Sequence, residues 1–310
     1  MPRRILLPLL PLALLAGAPL LLAGCEKEEP KTALTYTQDA KRAYEAAMEE
    51  FDAHNWIDAQ NSMREVKRKY SYSRYAKLAE LRIADADFEQ EKFAEAIREY
   101  RQFVHDHRSD PEEVAYARSR IAEAQYKQIS DSFLLPTGDE RDQASVLDAY
   151  KELRGYLHDY PEAKRSKEMR ELLADVTARL IRHELYAARF YLARDNYDAA
   201  IMRIEYALRN FTTAKVSLAS TDPPPRADGR RPDGARPSRR AAVPAPPTDA
   251  DALDSGLEAE ALLLLGETYL KMKKIPEATA AFKAIQTDYP KSGLVLQAER
   301  YLAYLKERGS

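Results

Sequence analysis

The chain has 310 residues, with 48 Lys and Arg against 50 Asp and Glu, which gives a formal net charge of −2 at pH 7. This near balance gives no electrostatic basis for nucleic-acid binding, and a single cysteine excludes a disulfide within the chain. Only 10 glycines, in a sequence rich in Ala, Glu, Leu, Arg and Lys, favour α-helix throughout.

The first 24 residues are arranged as a secretory signal peptide. Two arginines precede an apolar run over residues 5–22, and two small residues follow that run. A transmembrane helix is the alternative, but three prolines interrupt a run that is already short for a membrane span, and strongly polar sequence follows at once. The sequence therefore predicts export and removal of residues 1–24.

The only cysteine lies directly after this segment. The string Leu22-Ala23-Gly24-Cys25 resembles the bacterial lipobox, in which cleavage precedes the cysteine and the thiol carries diacylglycerol. Cys25 is then the first residue of the mature chain, carries a further acyl group on its amine, and begins a lipidated tether over residues 25–35. Several acyl chains are enough for stable membrane anchoring. We expect no other cofactor.

An internal repeat follows the tether. Five alanines share one helical register, because each has a large residue three positions earlier and apolar or small residues four and seven positions later. These register alanines are Ala59, Ala96, Ala149, Ala200 and Ala278. A small residue also recurs on the preceding helix, where it permits a close approach of two helices. These small residues are Ala47, Ala84, Ala122, Ala188 and Gly266.

This pattern resembles the tetratricopeptide repeat over residues 36–308. A coiled coil is the structural alternative, but turn sequences interrupt any long heptad run. The pattern predicts an all-α fold, an α-solenoid of five tetratricopeptide-like helix pairs with a disordered insert before the last pair. Repeats 1–4 occupy residues 36–219, and repeat 5 occupies residues 255–308.

The insert over residues 220–254 is rich in Pro, Arg and Ala and has no apolar periodicity. Such a segment cannot bury enough apolar surface to order itself. Its arginines offer contacts to anionic lipid headgroups or acidic partners, but aspartates in the same segment nearly cancel their charge. We therefore interpret it as a solvated linker.

No catalytic constellation is evident in the sequence. His105 and His107 suggest a metal-hydrolase alternative, yet side chains two positions apart on a helix point in different directions. "HELYA", which begins at His183, lacks the second histidine of a zinc-protease motif. Carboxylates alternate with Lys and Arg, as on solvated helix faces. We expect no enzymatic activity, no bound metal and no nucleic-acid partner.

Solenoids bind partners on a concave groove lined by the first helix of each pair. In repeats 1–3 the predicted groove residues, candidates for peptide binding, are Tyr44, Met48, Phe51, Phe88 and Tyr126. The predicted polar rim comprises Asp52, Asp85, Glu89 and Glu123. An apolar floor with an acidic rim suits an extended or helical peptide with aromatic residues. The alternative is that the rings at the shared position, Phe51, Phe88 and Tyr126, pack in the core.

Two longer strings sharpen the resemblance from a repeat class to one family. "GDERDQASVLDAYKELRGYLHDYPEAKRSKEM" and "HELYAARFYLARDNYDAAIMRIEYALRNF" are similar to the third and fourth repeats of the BamD family of outer-membrane β-barrel assembly lipoproteins. The insert departs from that family's pattern, and Phe211-Thr212 replaces its aromatic-proline ending. The resemblance implies a lipid-anchored protein on the periplasmic face of the outer membrane. Its implied partners are unfolded outer-membrane proteins and a BamA-like β-barrel insertase.

The resemblance also marks Arg203 in repeat 4. The matching arginine of the BamD family faces an acidic site on the last periplasmic domain of the insertase. The repeat register places Arg203 away from the buried stripe, so we expect it to be exposed. The alternative for this residue is an ordinary surface arginine paired with a neighbouring acid. The alternative for the whole chain is another periplasmic repeat lipoprotein, a scaffold for envelope constriction or secretion.

Overall fold

The computed structural model describes residues 32–129, 139, 142–212 and 256–308. Those residues form eleven α-helices and no β-strand, which confirms the predicted all-α helical-repeat fold. The helices are α1 (Ala33–Asp52), α2 (Trp56–Lys69), α3 (Arg74–Glu89), α4 (Phe93–Asp106), α5 (Pro111–Lys127), α6 (Ala144–Asp159), α7 (Ser166–Leu192), α8 (Tyr197–Phe211), α9 (Glu258–Lys271), α10 (Ile275–Asp288) and α11 (Val295–Arg308).

Three predicted segments fall outside the described residues: the signal peptide over residues 1–24, the lipidated Cys25, and the insert over residues 220–254. The predicted tether over residues 25–35 lies mostly outside them as well. Its last three residues already belong to α1, which begins at Ala33. Thr32 caps this helix through a hydrogen bond from the Thr35 amide to the Thr32 hydroxyl.

The first ten helices form five consecutive pairs, and α11 follows the last pair. Each helix packs against the next one in the chain, and the first helices of successive pairs also touch, α1 on α3, α5 on α7 and α7 on α9. Nearest-neighbour stacking of this kind is the architecture of a solenoid. It brings α1, α3, α5 and α7 side by side along one face.

The register alanines lie in the core as predicted, although Ile275, three positions before Ala278, is 42% exposed. All five register alanines are fully buried, at 0% exposure. The small residues on the first helices are buried too, and Gly266 has the tightest surroundings of the glycines among the described residues. A Cβ atom there would lie 2.5 Å from Cε1 of Phe282, which is itself fully buried. Helices α9 and α10 therefore approach each other more closely than any side chain at position 266 permits.

The turns within four of the five pairs share a backbone feature that the residue pattern does not reveal. A non-glycine residue with positive φ lies five positions before the register alanine, at His54, Glu91, Asp195 and Lys273. In each turn the next residue donates its amide to a carbonyl five residues earlier, as Asn55 does to Glu50 at 2.9 Å. This is the Schellman ending of a helix, normally supplied by glycine.

Repeat 5 packs directly on repeat 4, although the insert separates the two in sequence. Helix α9 contacts α8, and the Tyr269 hydroxyl donates to Oε1 of buried Glu205 at 2.9 Å. The predicted repeat 5 has two helices, whereas residues 256–308 form three. The third, α11, covers the end of the last pair, and its Tyr301 ring stacks on Phe282 with centroids 4.7 Å apart.

Candidate partner-binding surfaces

The predicted groove residues of repeat 1 lie half-buried on α1. The Tyr44 ring packs against Tyr75 with centroids 5.7 Å apart, and the Phe51 ring meets Trp56 edge-on at 5.1 Å. Met48 packs on the small core shared by the first two pairs. These side chains contribute to packing and still present part of their surface to the groove.

Phe88, at the same register position as Phe51, lies in the core. Its exposure is 7%, and the Arg120 guanidinium carbon lies 3.6 Å from the ring centroid. Phe93 closes another side of the ring at 5.3 Å. The Phe88 ring therefore belongs to the core and not to the groove. Arg120 covers the ring face that would otherwise line the groove.

Tyr126, the third ring of this register, is half-buried between α5 and α7. Its hydroxyl donates to Oδ2 of Asp175 at 2.9 Å, and Arg179 Nε donates to the same oxygen at 2.7 Å. Burial and the hydrogen bond to Asp175 raise the pKa of Tyr126. The hydroxyl thus has a partner within the protein, and only the ring edge is available to a ligand.

The structure corrects the placement of Asp85, which the sequence assigns to the polar rim. Asp85 is 2% exposed and accepts hydrogen bonds from Tyr100 and from Tyr116, the latter at 2.8 Å. Arg82 lies 2.6 Å from its second carboxylate oxygen. Burial and the Asp85 charge raise the pKa of Tyr116 to about 12. This carboxylate therefore holds α3, α4 and α5 together.

Arg120 extends this cluster along the groove. It donates to Glu89 and Glu123, each at 3.0 Å, and lies 3.6 Å from Asp85. Arg165, just before α7, donates to the same Glu123 at 2.7 Å. We call the chain of contacts from Arg82 through Asp85, Arg120 and Glu123 to Arg165 the ionic ladder. It joins repeats 2, 3 and 4, and no periodic pattern in the sequence revealed it.

Arg203 lies on α8 with 44% of its side chain exposed, so the predicted exposure is confirmed. Its Nη1 donates to Oε2 of Glu184 at 3.2 Å, and Glu184 is buried on α7. Arg203 therefore also pairs with a neighbouring acid, as its alternative interpretation predicts. Tyr191 is a second side-chain neighbour of this guanidinium, and the 44% exposure leaves part of its edge open to solvent.

Three large apolar side chains lie exposed near Arg203. Tyr186, Phe190 and Met202 are each between 41% and 45% exposed. With Arg203 they form what we call the α7–α8 patch. Arg203, Tyr186 and Phe190 line an open pocket of ≈ 470 Å³ with His183 and Asp139. Met202 precedes Arg203 on α8 and lies outside this lining. Exposed aromatic side chains beside an arginine have the composition of protein-binding hot spots, and the sequence pattern did not single out the three apolar members.

The histidines behind the metal-hydrolase alternative contact different partners. His105 Nδ1 lies 2.8 Å from Asp106, and His107 Nε2 lies 2.9 Å from Glu80. Within residues 32–129, 139, 142–212 and 256–308, no group of three or more His, Cys, Asp or Glu side chains could hold a metal ion. The helices described over those residues also include none that is both long and apolar enough to cross a membrane.

Comparison with known proteins places this architecture in a family. The model of the YfiO family, described as outer membrane lipoprotein, matches residues 36–220, and a tetratricopeptide repeat model matches residues 260–292. A chain of the TPR2AB-domain:pHSP90-complex of yeast Sti1 aligns with 11% identity and a TM-score of 0.35, over 87% of this chain and 99% of that chain.

Two curated relatives are named outer membrane protein assembly factor BamD. The protein from Caulobacter vibrioides is 27% identical over 193 residues, which covers 62% of this chain and 61% of the relative. The protein from Neisseria meningitidis serogroup A is 22% identical over 191 residues, which covers 58% of this chain and 68% of the relative. The chain thus aligns with about three fifths of the Caulobacter protein's length. Because the family model covers more than half of the chain, this chain belongs to the outer membrane lipoprotein family, and its resemblance to BamD is confirmed.

Proposed function

We propose that this protein is a non-catalytic, lipid-anchored scaffold on the periplasmic face of the outer membrane, and that it serves the assembly of β-barrel proteins there. The family match over repeats 1–4 carries the proposal, and both curated relatives are named for outer-membrane protein assembly. The lipobox at Cys25 supplies the anchor. In this role the solenoid binds partners and holds them at the membrane, where tethering raises their effective concentration.

The anchor is tested by the substitution Cys25→Ser in the native host. Loss of the acyl chains should release the protein from the membrane fraction into the soluble periplasm. Intact mass of the purified wild type should exceed that of the chain from residue 25 by the mass of the lipid. Continued sedimentation of Cys25→Ser with membranes after a high-salt wash, or an unmodified cysteine in the wild type, would contradict the anchor.

The α7–α8 patch is the proposed contact to a BamA-like insertase. An arginine with an open guanidinium edge suits a bidentate bond to a carboxylate, and the exposed rings beside it suit apolar side chains around that acid. The expected partner segment therefore combines an Asp or Glu with apolar residues. The Arg203 contribution is specific to α8, because the corresponding positions in repeats 2 and 3 are glutamates, Glu99 and Glu152.

The groove of repeats 1–3 is the proposed contact to unfolded barrel proteins. Tyr44, Met48, Phe51 and Tyr126 are half-buried, and each offers an apolar edge. Phe88 contributes indirectly, by supporting Arg120 and the ionic ladder beneath the groove. An extended segment with alternating aromatic side chains, such as a barrel strand before insertion, has the chemistry that these edges accept.

The competing role is a periplasmic repeat scaffold for envelope constriction or secretion. Mild-detergent purification of the lipidated protein distinguishes the two. We expect a large β-barrel protein with periplasmic domains to co-purify with the wild type. It should be lost with Arg203→Glu and retained with Arg98→Glu. Arg98 is an exposed arginine on α4 and serves as the matched control. Retrieval of division or secretion proteins instead, with no barrel protein, would favour the competing role.

A further inference from the structure

The end of repeat 1 that lies nearest the predicted anchor is unusually basic. Residues 64–77, from the last turns of α2 through the following turn into α3, contain six Lys and Arg and one acid, Glu65. The same register positions in repeat 2, residues 101–114, contain two Arg and four acids. In repeat 3, residues 154–167 contain four basic residues and two acids. We call residues 64–77 the basic tip.

Neighbouring acids neutralise only part of this charge. Lys67 pairs with Glu80 at 3.2 Å and Lys77 with Asp110 at 2.8 Å. Arg68 and Lys69 share the single carboxylate of Glu65. In the part of the chain that the structure describes, Arg64 and Arg74 have no carboxylate within ion-pair distance. These two residues and the pair on Glu65 therefore leave about three positive charges facing solvent.

The same end of repeat 1 also presents apolar surface to solvent. Tyr72, in the turn between α2 and α3, is 96% exposed, the highest value among the large hydrophobic residues of the described chain. Leu34, in the first turn of α1, is 70% exposed. A tyrosine ring flanked by cations is the composition found where proteins meet the headgroup layer of a membrane.

The fold puts this tip beside the start of α1, which follows Cys25 closely in sequence. The Tyr36 ring, in the first turns of α1, packs edge-on against Tyr70 at the end of α2, with centroids 5.4 Å apart. The start of α1 and the basic tip thus lie at the same end of repeat 1. Ala33 lies eight positions after Cys25, and a chain of that length spans at most about 29 Å.

We infer that the basic tip is a second membrane-binding site, which docks on the anionic phospholipid headgroups around the lipid anchor and fixes the orientation of the solenoid. The nearness of the tip to the membrane rests on the proposed lipidation of Cys25. The charges and the exposed ring of the tip do not depend on that proposal. Charges must come within about 10 Å of the headgroups to act, and a tether of at most about 29 Å lets this tip reach that distance. The pairing of an acyl anchor with a basic patch is a known route to firm membrane attachment.

Vesicle binding tests the site without the anchor. The chain from residue 25 with Cys25→Ser is mixed with vesicles of phosphatidylcholine, with or without phosphatidylglycerol, and the bound fraction is measured by sedimentation. We expect binding to the anionic vesicles alone, weakening as salt is added. The combined substitutions Arg64→Gln, Lys69→Gln and Arg74→Gln should lower partitioning on the order of a hundredfold, at about fivefold for each charge. Tyr72→Ser should weaken it further.

The control removes the same number of charges elsewhere. Lys271, Lys283 and Lys291 are exposed lysines of repeat 5, and their combined change to Gln should leave vesicle binding unchanged. Equal loss in the two triple variants, or equal binding to neutral vesicles, would overturn the inference. All substituted side chains are exposed, so helical melting curves should match wild type. Because the assayed chain carries no lipid, failure here is distinguishable from failure of lipidation at Cys25.

Discussion

Arg120 and Arg203 lie on neighbouring repeats and differ in exposure and in the number of carboxylates they pair with. Arg120 has 12% of its side chain exposed, pairs with three carboxylates and covers the Phe88 ring. Arg203 has 44% exposed and pairs with one carboxylate. The same residue type therefore packs within the fold in repeat 3 and remains partly exposed to solvent in repeat 4. Exposure and the number of acids already bound separate the two roles.

Asp85→Ala is the strongest test of whether the buried pairing of Arg120 stabilises the fold. Removing the carboxylate leaves Arg82 and Arg120 partly buried without their shared acid, and breaking a buried ion pair on one side costs about 3–5 kcal/mol. We expect the free energy of unfolding in urea to fall by that amount. The control is Glu89→Ala, which removes one 45%-exposed partner of Arg120 and should cost about 1 kcal/mol or less. Similar losses for the two variants would show that the ionic ladder does not hold the repeats together.

Phe88→Ala tests whether the covered ring belongs to the core or to the binding groove. Deleting a buried phenylalanine costs about 3–5 kcal/mol of stability, and the ring lies under Arg120. We expect that loss in thermal or urea unfolding, with affinity for an aromatic barrel-derived peptide nearly unchanged under conditions where the variant is folded. The half-buried Phe51 offers the contrast, since Phe51→Ala should lower peptide affinity more than Phe88→Ala does. The reverse order of affinities would place Phe88 in the peptide site.

Arg203→Gln tests whether the exposed arginine of this comparison binds the insertase. Truncating one side of a desolvated interfacial charge pair costs about 2–5 kcal/mol of binding, and we expect a loss in that range with a purified insertase periplasmic domain. The structure adds that Glu184 would be left buried without its arginine, so stability should also fall by about 1–3 kcal/mol. The double variant Arg203→Gln with Glu184→Gln should regain most of that stability and still bind weakly. Recovery of binding in the double variant would mean that Arg203 only positions α7 and α8.

Two glycines test how tightly the helix pairs pack outside the ionic ladder. Gly266→Ala places a methyl group 2.5 Å from a fully buried ring, and overpacking of this kind costs about 1–3 kcal/mol. At Gly155, on α6, an added Cβ would meet only the end of the Arg118 side chain at 3.6 Å. Gly155→Ala should therefore stabilise the protein by about 0.5–1 kcal/mol through helix propensity. Melting temperatures that shift in the same direction would contradict the close approach of α9 and α10.

The repeat pattern was sufficient to predict the five helix pairs and the small residues buried between them. Small residues at fixed spacing can be buried only on closely packed helices, so the register alanines identify both the fold and the residues at 0% exposure. Local periodicity also placed Arg203 on an exposed face. It did not reveal α11, because the repeat pattern describes helices in pairs and α11 follows the last pair.

Side-chain environments within the groove depend on long-range contacts. Phe51, Phe88 and Tyr126 share one register position, yet Phe88 is buried because Arg120, 32 positions later, lies over it. Asp85 has the spacing of a rim residue, but Tyr100, Tyr116 and Arg120 arrive from two other helices to bury it. Periodicity reports which face of a helix a residue occupies. It does not report what covers that face.

The sequence by itself determined the helical repeat, the predicted export and lipidation signals, and the family resemblance, because each depends on residues close together along the chain. Only the tertiary structure decided which polar groups are buried and which remain available. It separated Arg120 from Arg203, assembled the α7–α8 patch, and brought the basic tip to the start of α1 through the Tyr36–Tyr70 contact. The physical reason is that burial and charge pairing depend on neighbours distant in sequence, whose positions are fixed only when successive repeats stack.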